Sequence, residues 1–369
     1  MKVLCIGAGS MGRRRLRDIT YLNEGNVILF EPDVQRCREI AEAFGVNGFT
    51  NLEEALAQKP EALSISTPPA LHEPYVRKAL ELKLHVFAEV PFVLDAETYS
   101  QIVAQSRGYP AVMAPSHSIR YYPPYRLIHD LLQKESIGRP LYLEYSLGNY
   151  LPDWHPYEDY RRFYASDVRL GGAGMDMILH EVSAMQWWLG NVESVYARLS
   201  KLSSLEILGP DSHDVLLTFA NGARGFFHND LLERGSTGRH IRIVGETGTI
   251  EWHQNLSTVR LYQVSNPEQT EVPFTEASDW DAALQASRDV ARILARQQAR
   301  SGQNRWDQAD SFSYESCYLR EMQHFLEAAR GTQPYTMLNV TDELHTVRTF
   351  QAIVQSSQEQ REMKVETGD

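Results

Sequence analysis

The sequence predicts an α/β fold in two parts, an N-terminal doubly wound Rossmann domain over residues 1–120 and a C-terminal α+β domain with a large open mixed sheet over 121–369. Two observations carry the first part. Short apolar β-branched runs alternate with helical patterns over the first ~115 residues, the grammar of βαβ units, and a glycine-rich turn joins the first run to the first helical pattern. A third observation carries the second part: after Tyr122-Pro123-Pro124 the apolar runs come in antiparallel pairs, one of them joined by Asn221-Gly222, a strong hairpin signal.

In chain order, Val3 to Ile6, Val27 to Phe30, Ala62 to Ser66, His85 to Ala88 and Ala111 to Ala114 read as strands. Between them Met11 to Tyr21, Val34 to Phe44, Glu73 to Leu82 and Ala96 to Gln105 carry apolar residues at helical spacing. Right-handed crossovers turn such a series into a doubly wound sheet. Beyond a helix near Tyr125 to Gln133, strands are expected at Leu141 to Tyr145, Val215 to Phe219, Gly225 to Asn229, Arg242 to Val244 and Thr249 to Trp252. Ser265 to Ser311 is polar and reads as loop and exposed helix. Tyr318 to Ser357 reads as two helices, free to pack back on the first domain. An open sheet packs helices on one face and leaves the other for a partner subunit, so a homodimer or homotetramer is expected.

Composition excludes several classes of function. No apolar run approaches the ~18 residues needed to cross a bilayer, so a membrane role is not expected. Met1 to Ile6 runs directly into a glycine turn with no basic region or cleavage site ahead of it, and reads as a strand rather than a signal peptide. Cys5, Cys37 and Cys317 are too scattered for a disulfide framework or a zinc cage, which fits a reducing, cytoplasmic setting and predicts no metal site. With 36 basic and 48 acidic residues the formal charge is −12, which repels a phosphate backbone and argues against nucleic acid as a partner.

Gly7-Ala8-Gly9-Ser10-Met11-Gly12 follows a strand and opens a helix, the context in which a G-x-G-x-x-G match has meaning. Its glycines allow a tight turn and bring a pyrophosphate onto helix N-terminal amides. Glu31 ends the second strand, where a carboxylate accepts hydrogen bonds from ribose hydroxyls and repels a 2′-phosphate, favouring NAD over NADP. Arg13, Arg14, Arg15 and Arg17 cut across that preference. Cations in a first helical turn oppose the macrodipole unless an anion lies nearby, so NADP stays open.

These motifs, with Ser66-Thr67-Pro68 and His72, Glu89-Val90-Pro91, and Gly171-Gly172-Ala173-Gly174 followed by Asp176 and His180, resemble the Gfo/Idh/MocA family of sugar and inositol dehydrogenases over nearly the whole chain. The resemblance implies reversible oxidation of a secondary hydroxyl and a sheet that builds dimers or tetramers. It also implies cofactor contacts from Gly7, Gly9, Ser10, Met11, Gly12, Glu31, Thr67, Pro68, His72 and Glu89. The family's usual Glu-Lys-Pro supplies a proton-handling lysine, and this chain has Val90 there. General acid-base help is worth ~10² to 10⁴ in rate, so the task must pass elsewhere. His180 lies one helical turn after Asp176, and an imidazole titrates near neutrality, so His180 is the expected proton carrier and Asp176 its orienter or an acceptor for the substrate hydroxyl.

The stretch from Tyr145 to Gly171 is polar and aromatic. Trp154, His155, Tyr160, Arg161 and Tyr164, with Arg120 upstream, are candidate contacts to a sugar-like ligand bearing an acidic or phosphate group, because rings stack on sugar C–H faces and cations match anions. An ordinary loop packed by its own aromatics is the competing reading. Leu151 to Glu181 is similar to a branch of the family associated with nonulosonic acid synthesis. The expected function is an NAD(P)-dependent oxidoreductase acting on a secondary hydroxyl of a sugar. The alternatives are a non-redox dinucleotide- and sugar-binding regulatory protein, and an NAD-recycling lyase or epimerase.

Overall fold

Four short runs, β1 (Val3–Ile6), β2 (Val27–Phe30) and β4 (Ala62–Ile65), buried along their whole length, and β5 (His85–Ala88), buried beyond His85, form the centre of a parallel sheet, as expected for strands covered on both faces. With β3 (Asn47–Phe49) and β6 (Met113–Pro115) the order is β3-β2-β1-β4-β5-β6, the doubly wound arrangement. The crossovers are α1 (Ser10–Leu22), α2 (Val34–Phe44), α3 (Leu52–Leu56), α4 (His72–Leu82) and α5 (Ala96–Gln105). The computed structural model describes residues 1–23, 26–154, 159–234, 238–254, 256–274 and 312–367.

The second sheet has nine strands. After α6 (Pro123–Gln133) come β7 (Pro140–Gly148), α7 (Leu151–Trp154), α8 (Met175–Leu189), β8 (Val192–Ser200), β9 (Ser212–Phe219), β10 (Arg224–Asp230), β11 (Arg239–Gly245), β12 (Gly248–His253), β13 (Thr258–Gln263) and β14 (Asn266–Pro273). Helices α9 (Phe312–Ala329) and α10 (Val340–Glu359) and the edge strand β15 (Met363–Lys364) close the chain. The order is β14-β13-β12-β11-β7-β10-β9-β8-β15, with β7 and β10 parallel and the remaining pairs antiparallel. The expected hairpin is the β9–β10 turn, closed by Phe219 N–H to Ala223 O at 2.9 Å.

Residues alternate along these strands. Leu143, Tyr145, Val215, Leu217, Phe227, Ile241, Ile243, Ile250 and Trp252 are buried on one face, whereas Tyr142, Leu216, Arg242 and Tyr262 stand exposed on the other. Helices α6 and α8 lie on the buried face, with the Tyr125 and Trp188 rings 4.9 Å apart and Trp188 stacked 6.4 Å from Tyr145. Helix α10 joins them through Ser356, whose hydroxyl accepts the Ala197 amide at 2.9 Å.

The structure adds β3, α3, β8, β13 and β15, which the sequence reading did not mark, and departs from it in two further places. Residues 266–273 form a strand rather than loop or helix; β14 is polar and exposed, an edge held by its backbone ladder to β13 and invisible to a search for apolar alternation. The remainder of the expected 265–311 loop, from 275 onward, lies outside the described residues. The chain also divides as Met1–Tyr122 with the described part of Glu276–Thr341, and Pro123–Thr275 with Asp342–Asp369, rather than by one cut after residue 120. Helix α9 belongs to the first unit because Met322, Phe325 and Leu326 complete the core of Val3, Cys5, Leu29 and Phe87. Helix α10 belongs to the second.

In the second unit a buried charge fixes α8 to the sheet. Glu181, fully buried, accepts from Arg239 Nε at 3.0 Å and Nη2 at 2.8 Å on one oxygen, and from the Tyr125 and Tyr145 hydroxyls on the other. Removing the cation strands the carboxylate in an apolar interior, a loss of about 3–5 kcal/mol. Urea unfolding of Arg239→Ala is expected to show that loss with little change in slope; a variant within about 1 kcal/mol of wild type would contradict the assignment.

Candidate functional site

The glycine turn is built by steric necessity. Gly7 adopts φ +92° and donates its N–H to Phe30 O at 2.9 Å, linking β1 to β2. A Cβ at Gly12 would sit 2.1 Å from Gly7 O, so only glycine lets α1 start this close beneath the turn. At Gly9 a Cβ would meet nothing within 4 Å, which leaves that side of the turn open. The first helical donor is Arg13 N–H, to Gly9 O at 2.9 Å, so the amides of Ser10, Met11 and Gly12 lie ahead of the helical ladder, as an anion site requires.

Glu31 is held beside this turn by the N–H groups of Ala8 (2.9 Å) and Asp33 (3.1 Å). Ser66 O lies 2.8 Å from the Cβ position at Gly7, which puts the end of β4 against the same turn. Ser66 Oγ and Thr67 Oγ1 are buried there with no hydrogen-bond partner among the described residues. Buried hydroxyls left without partners are costly, and two of them beside an open helix N-terminus fit a bound dinucleotide. Pro68 caps the following turn, accepting Leu71 N–H at 2.8 Å.

Two expected contacts have other work in the structure. His72 is fully buried, its ring nitrogens 2.8 Å from Pro91 O and from Thr67 O, so it ties together the loops after β4 and β5. Arg120, 6% exposed, donates from Nη1 to Met337 O at 2.9 Å and is packed within the first unit.

The arginines after the glycine turn are also committed within the protein. Arg15 is fully buried, with Nε 2.6 Å from Glu89 Oε1 and Nη2 2.6 Å from Glu321 Oε2 and 2.9 Å from Ser116 Oγ. Arg17 pairs with Asp18 at 2.8 Å, and the Arg14 guanidinium lies 4.5 Å over the Tyr318 ring. Carboxylates answer the charges of Arg15 and Arg17 and a ring lies under Arg14, whereas among the described residues Arg13 reaches only Gly9 O, at 3.4 Å from Nε. Sequence reasoning missed Glu321 and Ser116, since nothing local signals a partner 306 residues away. Val90, beside Glu89, is 5% exposed and offers no protonatable group.

The second unit carries the expected proton-handling residues. Asp176 opens α8 after Gly174, and its Oδ2 accepts the Tyr164 hydroxyl at 2.7 Å. Burial raises its carboxyl above the usual range, with the Tyr164 bond pulling it back. His180 follows one turn later on the same helix. Sequence reasoning named Tyr164 and Asp176 for different roles, and the structure brings them together. Trp154, Tyr160 and Tyr164 pack with Phe163 around Leu151, Ala165, Leu205 and Leu231, which matches the reading of a loop packed by its own aromatics. Tyr160 Oη accepts Glu206 N–H at 3.2 Å, and Arg161 is paired with Asp159 (2.8 Å) and Glu206 (3.0 Å). His155 lies outside the described residues.

A doubly wound sheet with this turn and acid defines the class of dinucleotide-dependent oxidoreductases. Two family models match the chain, the oxidoreductase family with an NAD-binding Rossmann fold over residues 1–116 and the GFO/IDH/MocA C-terminal domain over 125–251, together about two thirds of it. The chain belongs to the Gfo/Idh/MocA family and binds NAD. An uncharacterized oxidoreductase, YrbE of Bacillus subtilis, is 25% identical over 66% of this chain and 71% of its own length. Inositol 2-dehydrogenase of Corynebacterium glutamicum is 29% identical over 56% of this chain and 59% of its own. The WlbA dehydrogenase of Bordetella pertussis, solved with NADH and UDP-GlcNAcA, shares the fold with a TM-score of 0.76 at 18% identity, over 100% of this chain and 98% of its own.

One guanidinium serves two carboxylates in the Arg15 cluster. Burial pushes the Glu321 carboxyl up to about 7, with Arg15 pulling it down and Glu89 pushing it up. A native value above the ordinary 4.5 means that the folded chain keeps a proton which the unfolded chain releases. Stability from this group is therefore full below about pH 4.5 and erodes as pH rises to about 7. Across that window, wild type is expected to lose stability relative to Glu321→Gln in urea unfolding; parallel curves would show that Glu321 stays ionised throughout.

Proposed function

We propose that this protein is an NAD(H)-dependent oxidoreductase acting on a secondary hydroxyl of a sugar or sugar derivative. The observation that carries the chemistry is the start of α8, where half-buried Asp176, bonded to Tyr164, precedes His180 by one turn. Gly7, Gly9, Ser10, Met11 and Gly12 would hold the pyrophosphate, Glu31 the adenosine ribose, and Thr67, Pro68 and Glu89 the nicotinamide end. When bound, the nicotinamide supplies a hydride acceptor or donor. His180 takes the hydroxyl proton in oxidation and returns it in reduction, the task that Val90 cannot perform. Asp176 orients the substrate or the imidazole, and Tyr164 holds the carboxylate in place.

The sugar class is supported by the inositol and nucleotide-sugar names among the relatives. Tyr142, Tyr196, Leu216 and Tyr262, each more than a third exposed on the open sheet face, support a homodimer or homotetramer built through that face.

His180→Ala is expected to lower turnover by about 10² to 10⁴ while NADH affinity stays unchanged. Unchanged turnover would remove His180 from the proton role. The buried Val90 favours a second reading, a dinucleotide- and sugar-binding regulator without redox chemistry, or an enzyme that recycles tightly held NAD. Incubation of wild type with NAD+ and a panel of sugars separates the three. A net rise in nicotinamide absorbance supports the oxidoreductase, product without a net rise supports the recycling enzyme, and binding without product supports the regulator.

A further inference from the structure

The open face of the second sheet carries a cluster that the dehydrogenase reading does not use. His240 on β11 stands directly opposite His253 on β12, and Glu251, two residues before His253, shares their face by the period of the strand. The Nε2 atoms of both imidazoles lie near the same carboxylate oxygen. His240 Nε2 lies 3.2 Å from Glu251 Oε1 and His253 Nε2 lies 3.5 Å from it. The three ligand atoms all fall within 4.8 Å of one another, and in the single chain the side chains are 26%, 29% and 35% exposed for His240, Glu251 and His253.

The geometry points to a divalent transition-metal site of the zinc class at His240, Glu251 and His253. Zinc binds imidazole nitrogen and carboxylate oxygen at ~2.0 to 2.2 Å in a tetrahedron, whose ligand–ligand edges are then about 3.3 to 3.5 Å. The separations of 3.2 Å (His240) and 3.5 Å (His253) from the Glu251 oxygen lie close to that range, the first of them already bridged by a hydrogen bond. Two imidazoles and one carboxylate are a donor set for zinc rather than for magnesium or calcium, which take oxygen. A fourth position remains for water. Glu251 is already oriented, since its other oxygen lies 4.0 Å from Arg260 Nη1 on β13 and Arg260 is itself partnered by Glu271 on β14 at 3.1 Å.

One rearrangement is required. The imidazole rings are stacked, with centroids 4.0 Å apart and planes 9° from parallel, so rotation about their side-chain bonds must turn the nitrogen lone pairs from parallel to convergent. The backbone need not move, because the two strands are locked in register from His240/His253 to Val244/Thr249. The bound ion would cross-link β11 to β12 on the face away from α6 and α8. The site is independent of the redox chemistry proposed above.

The test uses the full chain without an affinity tag, stripped with chelator and titrated with zinc chloride against a chromophoric indicator. One zinc ion per chain is expected, with a dissociation constant of about 10 µM or tighter. His240→Ala and His253→Ala should each weaken it at least about tenfold, and the double variant should lose it. Zinc should raise the melting temperature of wild type and leave the double variant unmoved. NADH titration of each variant checks that the fold is intact. Absence of binding up to about 1 mM zinc, or equal affinity in wild type and the double variant, would overturn the site.

Discussion

A single fully buried guanidinium organises the first unit. Arg15 projects from the first helix after the glycine turn and meets the carboxylate ending β5, the hydroxyl following β6 and a carboxylate on α9. A charge without solvent is tolerated only where partners surround it, so loss of a carboxylate partner would cost about 3–5 kcal/mol. The constraint also fixes Glu89 in direction. Its carboxylate is held by an arginine from the helix that follows the glycine turn. Turn, helix, strand ends and α9 therefore form one electrostatic unit around the dinucleotide site.

The second unit repeats the device with different residues. Glu181 is buried under α8 and bound by Arg239 and two tyrosines. Its neighbour His180, rotated about a quarter turn around the helix, is left partly exposed. The glycine run before α8 and the Tyr164 hydroxyl set the position of Asp176 at the start of that same helix. Fixed in this way, α8 can present a carboxylate and an imidazole with little freedom. That rigidity is what the proton-transfer role proposed for this pair would need.

Most of the fold was legible in the sequence because its signals are local. β1, β2, α2 and α5 begin and end where apolar periodicity and turn residues place them. The glycine turn and Glu31 were legible for the same reason, since backbone sterics and one carboxylate at a strand end need only a short window. β14 was not, because an exposed edge strand is held by backbone hydrogen bonds and carries no apolar stripe. The partners of Arg15 were not, because Glu321 lies on the far side of the sequence. His72 and Arg120 were read as ligand contacts by motif position alone. Their burial and carbonyl partners emerge only when the loops are folded together.

The account rests on a dinucleotide held by the amides of Ser10 to Gly12 with an acid at its adenosine end. A calorimetric titration of the full chain with NADH and then NADPH tests this most directly. It should register one NADH per chain with affinity on the order of micromolar, and NADPH at least about tenfold weaker, because Glu31 repels a 2′-phosphate. No heat and no saturation with oxidised or reduced NAD at millimolar concentration would contradict it.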